Sequence, residues 1–220
     1  MKRALCGALL AAALLIAPGA GFAQAPFDDI QSSQALADIE AVYQKGIMLG
    51  TGDNKFSPDA IVDRAQLAVC LVRTFDLNYD DLQLPVLSDL YDDVEDITWY
   101  SAAAMITGYN NIFDTGGREF KPQEAVTRME VASAIVNSFA AKKISVVTTL
   151  IWPDYVDITN LTQKQQSDIS FIFNTGIMKY EGNEFKPNET ITRAELATIL
   201  NRTLQILALQ SSDHGIMESQ

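Results

Sequence analysis

Three arginines recur at a spacing that suggests one shared use. Arg64, Arg128 and Arg193 lie 64 and 65 residues apart, in the runs Asp63-Arg64-Ala65-Gln66, Thr127-Arg128-Met129-Glu130 and Thr192-Arg193-Ala194-Glu195. Each follows by six residues the proline of Phe56-Ser57-Pro58, Phe120-Lys121-Pro122 or Phe185-Lys186-Pro187. A Thr with Glu three residues later is a capping box, in which the two side chains satisfy amides at a helix start. The cap has no use for a cation between them, and the positive end of the helix dipole disfavours one by about 0.3 kcal/mol or more. An arginine beside free helix-start amides makes a receptor for a carboxylate or phosphate, and its planar guanidinium matches a carboxylate through two parallel hydrogen bonds. On that reading its loss leaves the cap intact and changes stability by no more than about 0.5 kcal/mol. Arg64 differs in sitting beside Asp63, whose charge could hold it locally.

A period this regular marks a repeat architecture. After each arginine, apolar residues fall on one helical face: Leu67, Cys70, Leu71, Phe75; Val131, Ala134, Ile135, Phe139; Leu196, Ile199, Leu200, Leu204. Earlier helices are expected over 34–45, 99–110 and 164–175, closed by Gly46, Asn111 and Gly176, residue types that tolerate a left-handed terminus. One helix-turn-helix of this size cannot bury its stripe alone, so three units must share one centre. The expected fold is mainly α, with the three arranged as a pseudo-threefold bundle.

These motifs resemble the S-layer homology (SLH) family, whose unit reads as F-x-D-[VI], a helix, G-[IV], a glycine turn, F-x-P, then I-T-R-A-E. Ile191-Thr192-Arg193-Ala194-Glu195 matches verbatim. The unit starts align more loosely as Phe27-Asp28-Asp29-Ile30, Leu87-Ser88-Asp89-Leu90 and Trp152-Pro153-Asp154-Tyr155. The resemblance divides the chain into repeats at 27–86, 87–151 and 152–209, before a polar tail at 210–220, and implies a three-pronged spindle. It also implies that Arg64, Arg128 and Arg193 bind the carboxylate of a pyruvate ketal on a secondary cell-wall polysaccharide, in grooves between adjacent units. Asp29, Asp89 and Asp154 are either acceptors for sugar hydroxyls or turn and cap residues. Trp99 and Tyr100 either stack on a sugar or pack inside, and packing is the expectation.

Composition agrees. Lys2 and Arg3, the apolar stretch 4–17 and Ala23-Gln24-Ala25 have the layout of a secretory leader over residues 1–25, cleaved after Ala23 or Ala25. The stretch is too short for a membrane helix, which needs about 20 apolar residues. The expectation is therefore export, association with the wall by binding, and no membrane span. Without the leader, 14 basic residues face 28 acidic ones, a formal charge of −14, which argues against nucleic acid and anionic lipid as partners. Cys70 would be the mature chain's single cysteine, expected as a buried thiol.

Catalytic and metal chemistry find little support. The only histidine, His214, falls in the polar tail, leaving no nucleophile with a plausible base. The Thr51–Asn54 and Asp114–Gly117 loops lack the alternating ligands and distal glutamate of a calcium loop. The reading is a non-catalytic anchoring module without cofactor or metal. The alternative is a surface assembly protein that uses the same fold to bind another protein.

Overall fold

A computed structural model describes residues 27–78, 87–149, 151–180 and 182–217, with side chains to residue 210. The expected leader and residues 79–86 of the first joining segment lie outside the described residues. The chain is mainly helical: α1 (Leu36–Gln44), α2 (Arg64–Phe75), α3 (Leu87–Leu90), α4 (Ser101–Tyr109), α5 (Arg128–Ala141), α6 (Gln163–Asn174) and α7 (Arg193–Met217). The second helix of each repeat, α2, α5 or α7, begins at a motif arginine. The first helices α1, α4 and α6 are followed by Gly46, Asn111 and Gly176 at φ 67°, 51° and 74°, the left-handed closure expected there. Helix α7 continues to Met217, through most of the stretch expected as a polar tail.

Among the described residues, the two helices of one repeat do not pack on each other. Instead α2 packs on α4, α5 on α6, and α7 on α1. Each second helix thus takes the first helix of the following repeat, and the last repeat returns to the first. Polar ties reinforce two of these pairs. Asp168 of α6, almost fully buried, accepts from Ser133 Oγ of α5 at 2.6 Å, while Asp38 of α1 accepts from Thr198 Oγ1 and Asn201 Nδ2 of α7, both at 2.7 Å. The apolar stripe residues of the second helices are buried except Leu204, which packs at the core margin.

The strands of chain entering the second helices meet at the hub. Val62 N–H donates to Ile191 O, Ile191 N–H to Val126 O, and Val126 N–H to Val62 O, at 3.1, 3.4 and 3.0 Å. Three short extended segments therefore close a ring of hydrogen bonds. Val62, Val126 and Ile191 are wholly buried, as are Phe56, Phe120 and Phe185 of the proline turns. Each such side chain contributes about 1.5–3 kcal/mol by leaving water, so the hub and the turns that frame it hold the arginines in place.

Candidate functional site

The helix starts are already occupied. Arg64 N–H and Ala65 N–H donate to the carbonyls of Glu124 and Pro122; Arg128 N–H and Met129 N–H to those of Glu189 and Pro187; Arg193 N–H and Ala194 N–H to those of Ala60 and Pro58. The next amide in each helix is taken by Asp63 Oδ1, Thr127 Oγ1 or Thr192 Oγ1. The proline turn of the next repeat thus fills the amides that the sequence reading left free for a ligand, and any anion must be met by the guanidinium itself.

The guanidinium groups also reach across repeats. Arg64 Nη1 donates to Phe120 O at 2.8 Å and Glu124 Oε2 at 2.9 Å, and its Nη2 to Glu130 Oε1 at 2.7 Å. The local pairing with Asp63 expected from sequence does not form; Asp63 caps α2 instead. Arg128 repeats the arrangement with Glu189 at 2.7 Å and Glu195 at 3.3 Å, and lies 4.4 Å over the Tyr180 ring. Glu130 and Glu195 serve twice, since Oε2 closes the capping box through the Thr127 and Thr192 amides while Oε1 holds the arginine of the preceding repeat.

Arg193 stands apart. Its Nε donates to Phe56 O at 2.8 Å and Nη2 to Leu49 O at 2.6 Å, and Nη1 lies 3.5 Å from Gln66 Oε1. The positions of Glu124 and Glu130 are here Ala60 and Gln66, so none of its hydrogen bonds is to a carboxylate, although it is only 7% exposed. Burial pulls the Arg64 pKa down, but the bonds to Glu130 and Glu124 outweigh it and raise the group above its ordinary value. Burial also pulls Arg193 down, and the longer-range influence of Cys70, Asp29 and Asp63 does not recover it. The guanidinium groups of Arg64 and Arg193, 129 residues apart in the chain, thus sit in opposite electrostatic settings.

Three grooves mark equivalent places between repeats. The Arg193 groove, about 260 Å³, is lined by Leu49, Gln66, Cys70, Arg73 and Trp99 among others, with no Asp or Glu. The Arg64 groove, also about 260 Å³, contains Asp114, Glu130 and Lys164. The third, about 590 Å³, lies beside Tyr180 and carries Asp38, Asp59 and Glu195 with Lys179 and Arg202. Trp99, expected inside, is 66% exposed at the mouth of the first groove, edge-on to Tyr100. Arg73 and Gln66 were missed from sequence, although both lie on the same face of α2 as Cys70.

The three aspartates do not occupy equivalent positions. Asp29 accepts from Phe56 N–H and Ser57 N–H at 2.9 and 2.8 Å. Its counterparts are Asp93, on Phe120 and Lys121, and Asp157, on Phe185 and Lys186, rather than Asp89 and Asp154. Both of the latter are exposed, and the Asp89 carbonyl accepts from Arg118. The clamped residues Ser57, Lys121 and Lys186 have φ of 58°, 54° and 57°, a costly conformation for residues other than glycine, and the paired carboxylate bonds hold it. The correct starts, Tyr91-Asp92-Asp93-Val94 and Tyr155-Val156-Asp157-Ile158, were available at a constant spacing of 64 from Asp29.

Among the described residues, no three His, Cys, Asp or Glu groups gather as metal ligands, and no helix is long and apolar enough to cross a membrane. The S-layer homology domain profile matches residues 26–68, 90–132 and 169–197. The chain is 26% identical over 90% of its length to the surface-layer 125 kDa protein of Lysinibacillus sphaericus, covering 16% of that protein. It is 24% identical over 97% of its length to S-layer protein EA1 of Bacillus anthracis, covering 23%, and 24% over 81% to an amylopullulanase of Thermoanaerobacterium thermosulfurigenes, covering 9%. The chain thus spans less than a quarter of each relative's length. With three matched segments on a cyclic set of helix pairs, the chain belongs to the S-layer homology domain family.

Proposed function

We propose that this chain is a non-catalytic, exported anchoring module that holds the cell wall by binding an anionic polysaccharide, of the pyruvylated kind, in its inter-repeat grooves. One observation carries the reading: Arg193 is buried, with no carboxylate bonded to it, at a groove that Arg73 and an exposed Trp99 also line. A ligand carboxylate would supply the missing counter-charge, and the indole would cover a sugar face. The S-layer and surface-layer names of the relatives support a surface role. The amylopullulanase match, at 9% of that protein, fits a module that accompanies a catalytic chain without being one. Of the candidate site residues, this reading retains Arg193 as the principal one, with Arg64 and Arg128 at the equivalent grooves. It gives Asp29 a structural part, and Asp89 and Asp154 no defined contact with ligand.

A second reading, attachment to another surface protein, draws on Ile151, Trp152 and Val156, each more than half exposed in one short stretch. Sedimentation with purified walls decides between them. Binding should weaken with salt and be lost when the polysaccharide, or its pyruvyl groups, is removed. Undiminished binding to stripped walls would overturn the glycan reading.

A further inference from the structure

The three grooves are alike in position and unlike in charge, and the largest difference lies in the carboxylates that reach each motif arginine. Where Arg64 and Arg128 meet the next repeat, two glutamates arrive with it: one from the proline turn, Glu124 or Glu189, and one from the capping box, Glu130 or Glu195. These carboxylates take both terminal nitrogens of each guanidinium, and the Nε of Arg128, which has no hydrogen-bond partner among the described residues, is buried away from solvent. An incoming anion at either groove would have to displace an ion pair already formed, at 2.7 Å for Arg64 with Glu130, and would face the repulsion of the released glutamate. At Arg193 the corresponding residues are Ala60 and Gln66. The amide oxygen of Gln66 lies 3.5 Å from Nη1, the edge of hydrogen-bonding distance, and brings no charge.

We infer that the chain has one groove competent for an anion, the Arg193–Arg73–Gln66–Trp99 groove, and that Glu130 and Glu195 act as built-in stand-ins for the ligand at the other two. This rests on the glycan reading above and narrows it: the chain holds one acidic sugar residue, with one charge, rather than three. Arg73 is the added recognition residue. It is exposed at the C-terminal turn of α2, about two helical turns from Gln66 on the same face, and its Nη1 donates to the carbonyls of Gly46 and Ile47 at 3.3 Å. Fixed there, it adds a second positive charge to a groove that contains no acid. The other two grooves offer their cations with acids alongside: Lys164 donates to Asp168 at 2.7 Å, and Lys179 and Arg202 share their groove with Asp38, Asp59 and Glu195.

The test exchanges the charge pattern between grooves in the mature chain. The probe is the methyl glycoside of a hexose carrying a 4,6-O-(1-carboxyethylidene) ketal, titrated by calorimetry, with sedimentation on purified walls in parallel. The unsubstituted chain should bind one probe. Asp63→Thr with Gln66→Glu rebuilds at α2 the Thr-Arg-Ala-Glu cap that α7 already uses, and places a carboxylate on Arg193. Affinity should fall about 10- to 100-fold and wall binding with it, while the melting temperature holds or rises. Glu124→Ala with Glu130→Gln frees the Arg64 guanidinium of both carboxylates, as at Arg193, and the count should rise from one to two. Gln165 already fills the Glu130 role in the α6 capping box, so the cap survives that change. A count of two or three for the unsubstituted chain, or full probe and wall binding by the Asp63→Thr/Gln66→Glu variant, overturns the single-groove inference and leaves anchoring intact. If the unsubstituted chain binds neither probe nor wall, the glycan reading and this inference fall together.

Discussion

Arg64 and Glu130 lie 66 residues apart in sequence and join across a repeat boundary at 2.7 Å, with the arginine side chain 8% exposed and the glutamate 36%. The contact links the first turns of α2 and α5, at the edge of the hydrogen-bonded hub. It makes the motif arginine a structural staple as well as a candidate receptor.

Removing that staple should be costly. Arg64→Ala strands Glu124 and Glu130 beside each other and leaves the Phe120 carbonyl without its donor. Because both glutamates are partly solvated, the loss should be about 2–3 kcal/mol, below that of a fully buried pair. Urea denaturation should show the midpoint falling with the slope unchanged; a shift within about 0.5 kcal/mol would mean that the pair is incidental. The same reasoning revises the expectation that Arg193 could be removed without cost, since the Phe56 and Leu49 carbonyls depend on it. This is why the groove is better tested through Gln66.

The sequence was readable wherever a local rule governed the outcome. Helix starts at Arg64, Arg128 and Arg193, closures at Gly46, Asn111 and Gly176, and the apolar stripes all follow from capping chemistry and period. Tertiary partnership was not readable. Nothing local says that α2 packs on α4 rather than α1, or that Glu195 answers Arg128 rather than only its own cap. The aspartate register failed for a narrower reason. Asp89 and Asp154 lie two residues after an apolar residue much as Asp29 does, but the clamp needs the carboxylate 27 or 28 residues before the turn phenylalanine, as in Asp29–Phe56, Asp93–Phe120 and Asp157–Phe185. Trp99 was expected inside because aromatic residues at a helix entry usually are, yet it precedes α4 on the groove side.

Asp157 and Asp154 therefore make a paired test, three residues apart. Asp157→Ala removes both acceptors from the Phe185 and Lys186 amides and releases the positive φ at Lys186. It should cost about 1–3 kcal/mol. Asp154→Ala, at an exposed side chain, should stay within about 0.5 kcal/mol. Equal losses in chemical denaturation would contradict the revised register.

Acid should act through the same clamp. Burial pushes the Asp29 carboxyl up, but the Phe56 and Ser57 amides and the charge of Lys55 outweigh it and hold the group below its usual 3.8. A carboxylate with a depressed folded-state pKa stabilises the fold above its unfolded value and loses that contribution as pH falls through the folded one. Stability should thus be level in this respect above about pH 5 and decline below about pH 4. Asp29→Asn should be less stable at neutral pH and show a shallower decline in urea midpoint over that acid range. An unchanged slope would rule Asp29 out as a contributor.

Cys70 offers a probe of opening. Its thiol is buried on α2, and burial pushes it up to about 12, so thiolate is scarce in the folded chain at neutral pH. Labelling by a disulfide reagent at about pH 8 should be slow and should accelerate in urea in step with loss of helical signal. Fast labelling under native conditions would mean that the Arg193 groove, which Cys70 lines, opens independently of the rest.

The cyclic partnership of helices sets how the chain comes apart. Because α7 packs on α1, and each proline turn caps the second helix of the preceding repeat, no repeat retains its packing when another is lost. Calorimetry of the chain should show one transition, with the calorimetric and van't Hoff enthalpies equal. Asp38→Ala breaks the polar tie of α1 to Thr198 and Asn201 at the point where the ring closes. It should move the whole transition to lower temperature, by several degrees for a loss of about 1–2 kcal/mol, without splitting it. A second, separate transition in that variant would show that the α7–α1 pair is a detachable unit and that the ring is not energetically closed.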